Sequence, residues 1–191
     1  MSTIRAFIAI ELSNAARAVL TEVNEALAQQ APRQAVRWVN PERMHLTLRF
    51  LGDTPVEKVA DLKTVLDDAA KHVEPFVMTL DSLGCFPNER KPRVIWVGVM
   101  GDVAQAETLR ASIDRMLEPL GWEMERRPFR AHLTLGRVKE QRRELRLPWG
   151  KRVAPAEIPV HEIVLFESRL GADGSRYIAK HRSRLGRPAA H

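Results

Sequence analysis

The chain has 191 residues and a mass of 21.7 kDa, and it is 45% hydrophobic and 28% charged, which suits one soluble globular domain with its own core. Its formal net charge is +6, and the single cysteine, Cys85, excludes an internal disulfide and a cysteine-built zinc site. No apolar run reaches the roughly 20 residues that span a bilayer, and Glu11 ends the apolar run 6–10, so we expect no membrane association, no signal peptide and a cytoplasmic location.

Hydrophobic periodicity, caps and turn residues predict strands and helices in irregular alternation. Strands are predicted at 4–11, 36–39, 44–51, 76–83, 94–100, 129–138, 160–168 and 175–181. Helices are predicted from Ser13 or Asn14 to about residue 31, over 55–70 and over 103–120. This order favours an α+β fold over a doubly wound sheet. We expect one two-lobed domain over 1–182 and a mobile tail over 183–191, which has few apolar residues.

The positive charge is concentrated in one short stretch. Residues 51–125 carry 8 basic and 14 acidic side chains, whereas residues 126–152 carry 10 basic and 2 acidic ones. Of the 30 basic residues 23 are arginine, whose guanidinium can donate two parallel hydrogen bonds to a phosphate. The charge alone leaves two interpretations open, a phosphate-binding surface and a merely solvated one.

One tetrapeptide, His-Leu-Thr-Leu, occurs at residues 45–48 and again at 132–135, 87 residues apart. Each copy lies in a predicted strand, where side chains alternate between the two faces. The histidine and threonine of each copy therefore share one face, and the two leucines share the other. An 87-residue spacing is too long for a solenoid repeat and fits a duplicated half. The two copies would then face each other across a pseudo-two-fold cleft.

Two histidines with adjacent threonines suit acid–base chemistry on a phosphate ester. An imidazole titrates near pH 6.5, so one can act as base while the other acts as acid. Threonine hydroxyls can donate hydrogen bonds to phosphate oxygens. A zinc site is less well supported, because neither copy has a second histidine one helical turn away. For a single copy, a structural histidine in a strand is the simpler interpretation; two matching copies favour a catalytic pair.

The motifs resemble those of the two-histidine phosphoesterases, and within them the RNA 2′,3′-cyclic phosphodiesterases, also called 2′-5′ RNA ligases. The resemblance spans about residues 3–180. It includes the segments that follow the motifs, Arg-Phe-Leu-Gly at 49–52 and Gly-Arg at 136–137, and the sequence Phe-Ile-Ala at 7–9. It also includes Trp38, Gly-x-Phe-Pro at 84–87, Pro-Arg-Val-Ile-Trp at 92–96 and Pro-Phe at 128–129. One departure is Ala131, which stands where the family often has proline.

The resemblance implies a bilobal fold in which two antiparallel sheets line a central cleft and helices lie outside. It also implies metal-independent hydrolysis of RNA terminal 2′,3′-cyclic phosphates to 2′-phosphomonoesters, with reversible 2′-5′ ligation as a related reaction. By that resemblance His45 is the proton donor and His132 the proton acceptor. Thr47, Thr134 and Arg137 would bind the phosphate. No cofactor is implied.

Three further residues are candidate substrate contacts. Arg49 and Arg130 share strand parity with the histidine of their motif, although an exposed arginine at a strand end is a common alternative for Arg130. Phe86, in a predicted loop, could stack on a base or pack under its own turn. We expect a monomer that acts on RNA ends. A non-catalytic RNA-binding module and a phosphodiesterase for a small cyclic nucleotide remain the alternatives.

Overall fold

The structure is a computed structural model that describes residues 2–139, 145–171 and 174–186. Within these residues the strands are β1 (Thr3–Ile10), β2 (Val36–Trp38), β3 (Leu46–Pro55), β4 (Phe76–Phe86), β5 (Val94–Gly101), β6 (His132–Val138), β7 (Glu157–Val160), β8 (Glu162–Gly171) and β9 (Gly174–Arg184). The α-helices are α1 (Asn14–Gln30), α2 (Val59–Ala70) and α3 (Val103–Leu117). The side chain of Ser13 caps α1, as predicted, by accepting a hydrogen bond from the Ala16 N–H at 3.1 Å.

The described strands form one antiparallel sheet in the order β7-β4-β5-β6-β3-β1-β8-β9, with β2 beside β6. Its two halves join at the edges of β3 and β6, where Leu46 pairs with Leu133. We call this pair the seam. Leu46 and Leu133 hold the same position in the two motifs, so a pseudo-two-fold axis passes through the seam. The predicted α+β fold with duplicated halves is confirmed, and the two antiparallel sheets are continuous at the seam.

The two faces of the sheet have different surroundings. One face packs against the helices, and the leucines of both motifs are buried there with 0–4% of their surface exposed. The opposite face carries a smaller apolar cluster of Phe7, Ala9, Val164 and Phe166, with Tyr177 packed against it. The histidines and threonines are on this second face, as the strand alternation predicts.

A β-bulge follows the threonine of each motif. In its pairing with β1, β3 contains one extra residue between Thr47 and Arg49, and in its pairing with β5, β6 contains one extra residue between Thr134 and Gly136. An extra residue reverses the alternation of side chains beyond it. The next side chains on the open face are therefore Phe50 and Arg137, not Arg49 and Gly136.

The C-terminal residues differ from the prediction. The mobile tail predicted from residue 183 is wrong for residues 183–186, because β9 pairs with β8 as far as Arg184 and Leu185 is buried against the core. The Ser183 hydroxyl donates to Asp67, and the Gly186 N–H donates to the carbonyl of Ala70. Residues 187–191 lie outside the described part of the chain. No helix in the described part is long and apolar enough to cross a membrane.

Candidate active site

The open face of the sheet forms a cleft of about 950 Å³ that is lined by both motifs. His45, Thr47, His132 and Thr134 all contribute to its wall, so the two predicted pairs are brought together. The seam explains the arrangement. With Leu46 opposite Leu133 in antiparallel strands, His45 lies beside Thr134 and Thr47 lies beside His132. Each histidine therefore stands next to the threonine of the other motif.

A backbone carbonyl two residues earlier fixes the tautomer of each histidine. Nδ1 of His45 lies 2.9 Å from the carbonyl oxygen of Arg43, and Nδ1 of His132 lies 2.6 Å from that of Arg130. A carbonyl oxygen only accepts hydrogen bonds, so each Nδ1 carries a hydrogen whether the ring is neutral or charged. Nε2 is thus the atom that takes up and releases a proton in both rings.

Aromatic side chains hold the ring of His45 in place. Phe7 stacks on it with a centroid separation of 4.7 Å, and Tyr177 meets it edge-on at 5.1 Å. Phe7 in turn stacks on Phe166 at 5.2 Å. These contacts restrict the rotation of the imidazole and shield it from water.

His132 is held in a similar way by the other half of the sheet. Phe86 meets its ring edge-on at 5.0 Å, and Trp96 lies 6.2 Å away. The Trp96 ring lies over Gly84, where an added Cβ would come within 2.2 Å of the indole. Gly84 is therefore required for Trp96 to occupy this position.

Burial lowers the pKa of both histidines below the ordinary value of 6.5. The carbonyl contact of each ring acts in the opposite direction, and the positive charge of Arg17 near His45 or of Arg137 near His132 adds to the lowering. The pKa values favour neutral imidazoles in the free protein at pH 7. A bound phosphate anion would favour the protonated form of the ring that it contacts.

Arg137 lies on the cleft wall. Its strand partner is Val94, which also lines the cleft, and the bulge in β6 turns its side chain to the open face. Its charge is exposed and close enough to His132 to lower that pKa. This position suits the predicted contact between Arg137 and a phosphate.

The strand parity predicted for Arg49 is wrong, because a bulge in β3 interrupts the alternation before it. Arg49 still lines the cleft, and its contact with a substrate stays a prediction. The Arg49 side chain turns towards α3, where Nε lies 2.8 Å from the carboxylate of Asp114. It also donates to the carbonyl of Glu123 and lies 3.7 Å from Glu125. Arg49 therefore stays at the cleft border with its charge neutralised by carboxylates.

Arg130 and Phe86 both line the cleft, and the guanidinium of Arg130 lies over the Phe86 ring at 5.9 Å. Phe86 is the last residue of β4 and not part of a loop, because β4 extends three residues past its predicted end. Arg130 precedes β6, which begins at His132 and not at residue 129. In the structure Phe86 supports His132, and base stacking on it stays a prediction.

Sequence reasoning missed two residues that shape the site. The sequence alone does not identify Trp96, whose ring lies beside His132, or Tyr177, which packs against His45, as part of the site. A signal for Tyr177 existed: it is the only tyrosine of the chain and lies in a predicted strand.

Part of the basic stretch can also be placed. Arg152 lies 3.8 Å from Asp81, and Arg142 and Arg143 lie outside the described residues. Among the residues that are described, no three histidine, cysteine, aspartate or glutamate side chains are grouped as metal ligands would be.

The LigT like Phosphoesterase family model matches the chain twice, over residues 10–96 and 97–177. Each match contains one His-Leu-Thr-Leu motif, and together they cover most of the chain. The chain belongs to this family. Membership in the LigT-like phosphoesterases confirms the resemblance indicated by the sequence, and each match contains one of the two strands that meet at the seam, β3 in the first and β6 in the second.

Relatives within the LigT-like phosphoesterases are similar over nearly the whole chain. A Methanothermobacter thermautotrophicus protein named RNA 2′,3′-cyclic phosphodiesterase is 35% identical over 178 residues, covering 91% of this chain and 95% of the relative. A solved structure, TT0787 of Thermus thermophilus, has a TM-score of 0.79 and 30% identity, covering 97% of this chain and 100% of its own. Escherichia coli LigT complexed with 3′-AMP has a TM-score of 0.73 and 29% identity, covering 96% and 99%.

Proposed function

We propose that the protein hydrolyses RNA terminal 2′,3′-cyclic phosphates to 2′-phosphomonoesters by acid–base catalysis with two histidines. One observation carries the proposal: two matched His–Thr pairs meet at the seam, and in each pair a carbonyl leaves Nε2 as the titrating atom. Family relatives named RNA 2′,3′-cyclic phosphodiesterase support the same reaction class.

The reaction needs one proton removed and one supplied. Nε2 of His132 takes a proton from water as the water oxygen attacks phosphorus, in line with the ribose 3′ oxygen. Nε2–H of His45 gives its proton to that oxygen as the bond from phosphorus to the 3′ oxygen breaks. The phosphate stays on the 2′ oxygen, and exchange with solvent restores both histidines. The order of acid and base follows the family resemblance.

Negative charge develops on the non-bridging phosphate oxygens during attack. The hydroxyls of Thr47 and Thr134 can donate hydrogen bonds to these oxygens from opposite sides of the seam. Arg137 supplies a charged donor from the β6 side. With these three groups the phosphate is held without a metal ion, and we propose that the enzyme needs none.

The same steps, with a 5′-hydroxyl end in place of water as the nucleophile, would break the bond from phosphorus to the 3′ oxygen and give a 2′-5′ linkage. We include this ligation as a minor, reversible activity. The RNA substrate is supported by the names of the relatives, and we further propose a monomer that works in the cytoplasm.

Product analysis tests the proposal. An oligonucleotide with a 2′,3′-cyclic phosphate end is incubated with the protein, and phosphorus NMR against authentic isomers identifies the product. We expect the 2′-phosphate. A predominant 3′-phosphate would refute the proposed orientation, and no hydrolysis would refute the activity.

Histidine variants test the roles of the two rings. His45→Ala and His132→Ala should each lower kcat by roughly 10² to 10⁴, and the double variant should be little worse because acid and base act in one step. His72→Ala is the matched control, since His72 is an exposed residue that does not line the cleft. Near wild-type turnover by either single variant would contradict the assignment.

A further inference from the structure

Residues 121–131, which we call the entry segment, lead into the second motif without forming a helix or a strand. The segment ends one residue before His132, and it contains the Arg130 carbonyl that accepts the hydrogen bond from Nδ1 of that histidine. The orientation of the His132 ring thus depends on the path of an irregular segment. A segment without backbone pairing to a neighbouring strand needs other contacts to keep a single path.

The path into the first motif is held by backbone pairing. β2 lies just before that motif and pairs with the end of β6, where Trp38 is opposite Gly136. The Val39 N–H then donates to the carbonyl of Leu135 at 2.7 Å. Glycine allows this close approach, because a Cβ added at Gly136 would lie 2.7 Å from Val36. The strand of the second motif therefore holds the path into the first motif.

The pseudo-two-fold axis places Arg49 where the other half has Gly136, because each is the second residue after the threonine of its motif. The guanidinium of Arg49 contacts three groups, each through a different nitrogen. Nε lies 2.8 Å from Asp114, Nη1 lies 3.7 Å from Glu125, and Nη2 donates to the carbonyl of Glu123. The last two groups belong to the entry segment. The strand of the first motif therefore holds the path into the second motif through a side chain.

The contacts continue along the entry segment as far as Arg130. Glu125 accepts hydrogen bonds from the N–H of Arg127 at 3.0 Å and from its Nε at 2.9 Å. The Phe129 ring lies 5.5 Å from the guanidinium of Arg110, which also donates to the α3 carboxylate described above. A continuous set of contacts thus links β3 to the residue whose carbonyl orients the second histidine.

We infer that Arg49 is a positioning residue for His132. It holds the entry segment in the path that presents the Arg130 carbonyl to Nδ1, and so keeps Nε2 as the atom that accepts a proton from water. The inference rests on the proposed function and deepens it, because it links the base of one half to the strand that carries the acid of the other. Without this hold, the neutral imidazole can carry its hydrogen on Nε2, and that tautomer cannot act as the base.

NMR of the free protein tests the positioning role without turnover. Long-range ¹H–¹⁵N correlation spectra distinguish the two tautomers of each histidine at a pH where both rings are neutral. In the wild type we expect the Nδ1–H tautomer for His45 and His132 alike. In Arg49→Met, His132 should lose this single pattern and show a mixture with the Nε2–H tautomer, while His45 should be unchanged. Because no substrate is present, this change cannot come from a lost substrate contact.

Initial rates with adenosine 2′,3′-cyclic phosphate give the second readout. Arg49→Met should lower kcat by roughly 10- to 100-fold and leave KM within about twofold, because a misplaced base slows the chemical step and not binding. Arg49→Lys should recover thermal stability but not kcat, because one ammonium nitrogen cannot reach three acceptors at once. If Arg49→Met does not fold, Glu125→Ala removes one contact of the entry segment and should give the same two changes on a smaller scale.

Arg169→Met is the matched control, because it also removes an arginine from a nearly buried carboxylate, that of Glu167, outside the cleft. It should lower stability and change neither the tautomers nor kcat. Three results would overturn the inference while the two-histidine reaction stands: an unchanged His132 tautomer in Arg49→Met, an equal change at His45, or a rise in KM alone. If the wild type hydrolyses no cyclic phosphate but the His132 tautomer depends on Arg49, the proposed function fails and the positioning role remains.

Discussion

Replacing Asp114 should destabilise the protein far more than replacing a surface aspartate. Asp114 lies in α3 with its side chain 2% exposed, and its carboxylate forms ion pairs with Arg49 at 2.8 Å and with Arg110 at 3.0 Å. Both arginine side chains are 11% exposed. Asp114→Ala leaves two nearly buried guanidinium groups side by side without their carboxylate.

The expected cost follows from the burial. Removing one partner of a buried ion pair typically costs about 3–5 kcal/mol, because the remaining charge is desolvated and unpaired. Glu125 lies near Arg49 and compensates partly for the lost carboxylate. We therefore expect Asp114→Ala to lower the free energy of unfolding by about 3 kcal/mol. In a chain of this size that corresponds to a fall in Tm of about 6–12 °C.

Urea unfolding followed by tryptophan fluorescence measures this loss as a lower midpoint with an unchanged slope. Asp68→Ala is the matched control, because Asp68 pairs with Lys71 on the surface of α2 and both side chains are more than 40% exposed. Exposed ion pairs contribute about 0–1 kcal/mol to the free energy of unfolding. A loss for Asp114→Ala no larger than that of Asp68→Ala would refute the reasoning.

Three other outcomes can be measured in parallel. Because burial lowers the pKa of both His45 and His132, kcat/KM plotted against pH should follow a bell-shaped curve whose maximum lies below pH 6.5. Arg137→Met removes a positive charge and raises the pKa of His132, so the acidic limb of this curve should move to higher pH. An unmoved limb would contradict the influence of Arg137 on His132. Gly84→Ala places a methyl within 2.2 Å of Trp96, and it should lower both thermal stability and kcat, as measured by calorimetry and initial rates. Turnover should persist in excess chelator, whereas loss of activity that a divalent ion restores would require a metal mechanism.

The alternation of apolar and polar residues was enough to predict which face the motifs present. His45, Thr47, His132 and Thr134 line one cleft, because side chains two residues apart in a regular strand segment lie on the same face and no bulge falls within either His-Leu-Thr segment. The repeated tetrapeptide likewise predicted the duplicated halves. The alternation lies within a few residues and the repeat is an exact recurrence of four letters, so the sequence is sufficient to find both.

The bulges could not be predicted in this way, because a bulge is a property of two paired strands. The sequence Thr-Leu-Arg reads as regular alternation, and only the pairing with β1 reveals the extra residue. As a result the parity of Arg49 was wrong, and the exposure of Phe50 was not foreseen. Leu185 was assigned to a mobile tail for a related reason: its burial depends on β8 and α2, which are distant in sequence.

The carbonyl that sets each histidine tautomer comes from the same chain segment, two residues upstream. In a serine protease triad the equivalent orienting group is a carboxylate from a distant part of the chain. Here an acid–base unit is self-contained within a pentapeptide, so duplicating the segment duplicates a working titrating group in one event. The surrounding loops and helices are then free to diverge without disturbing proton transfer, provided that the strand entering each motif keeps its path.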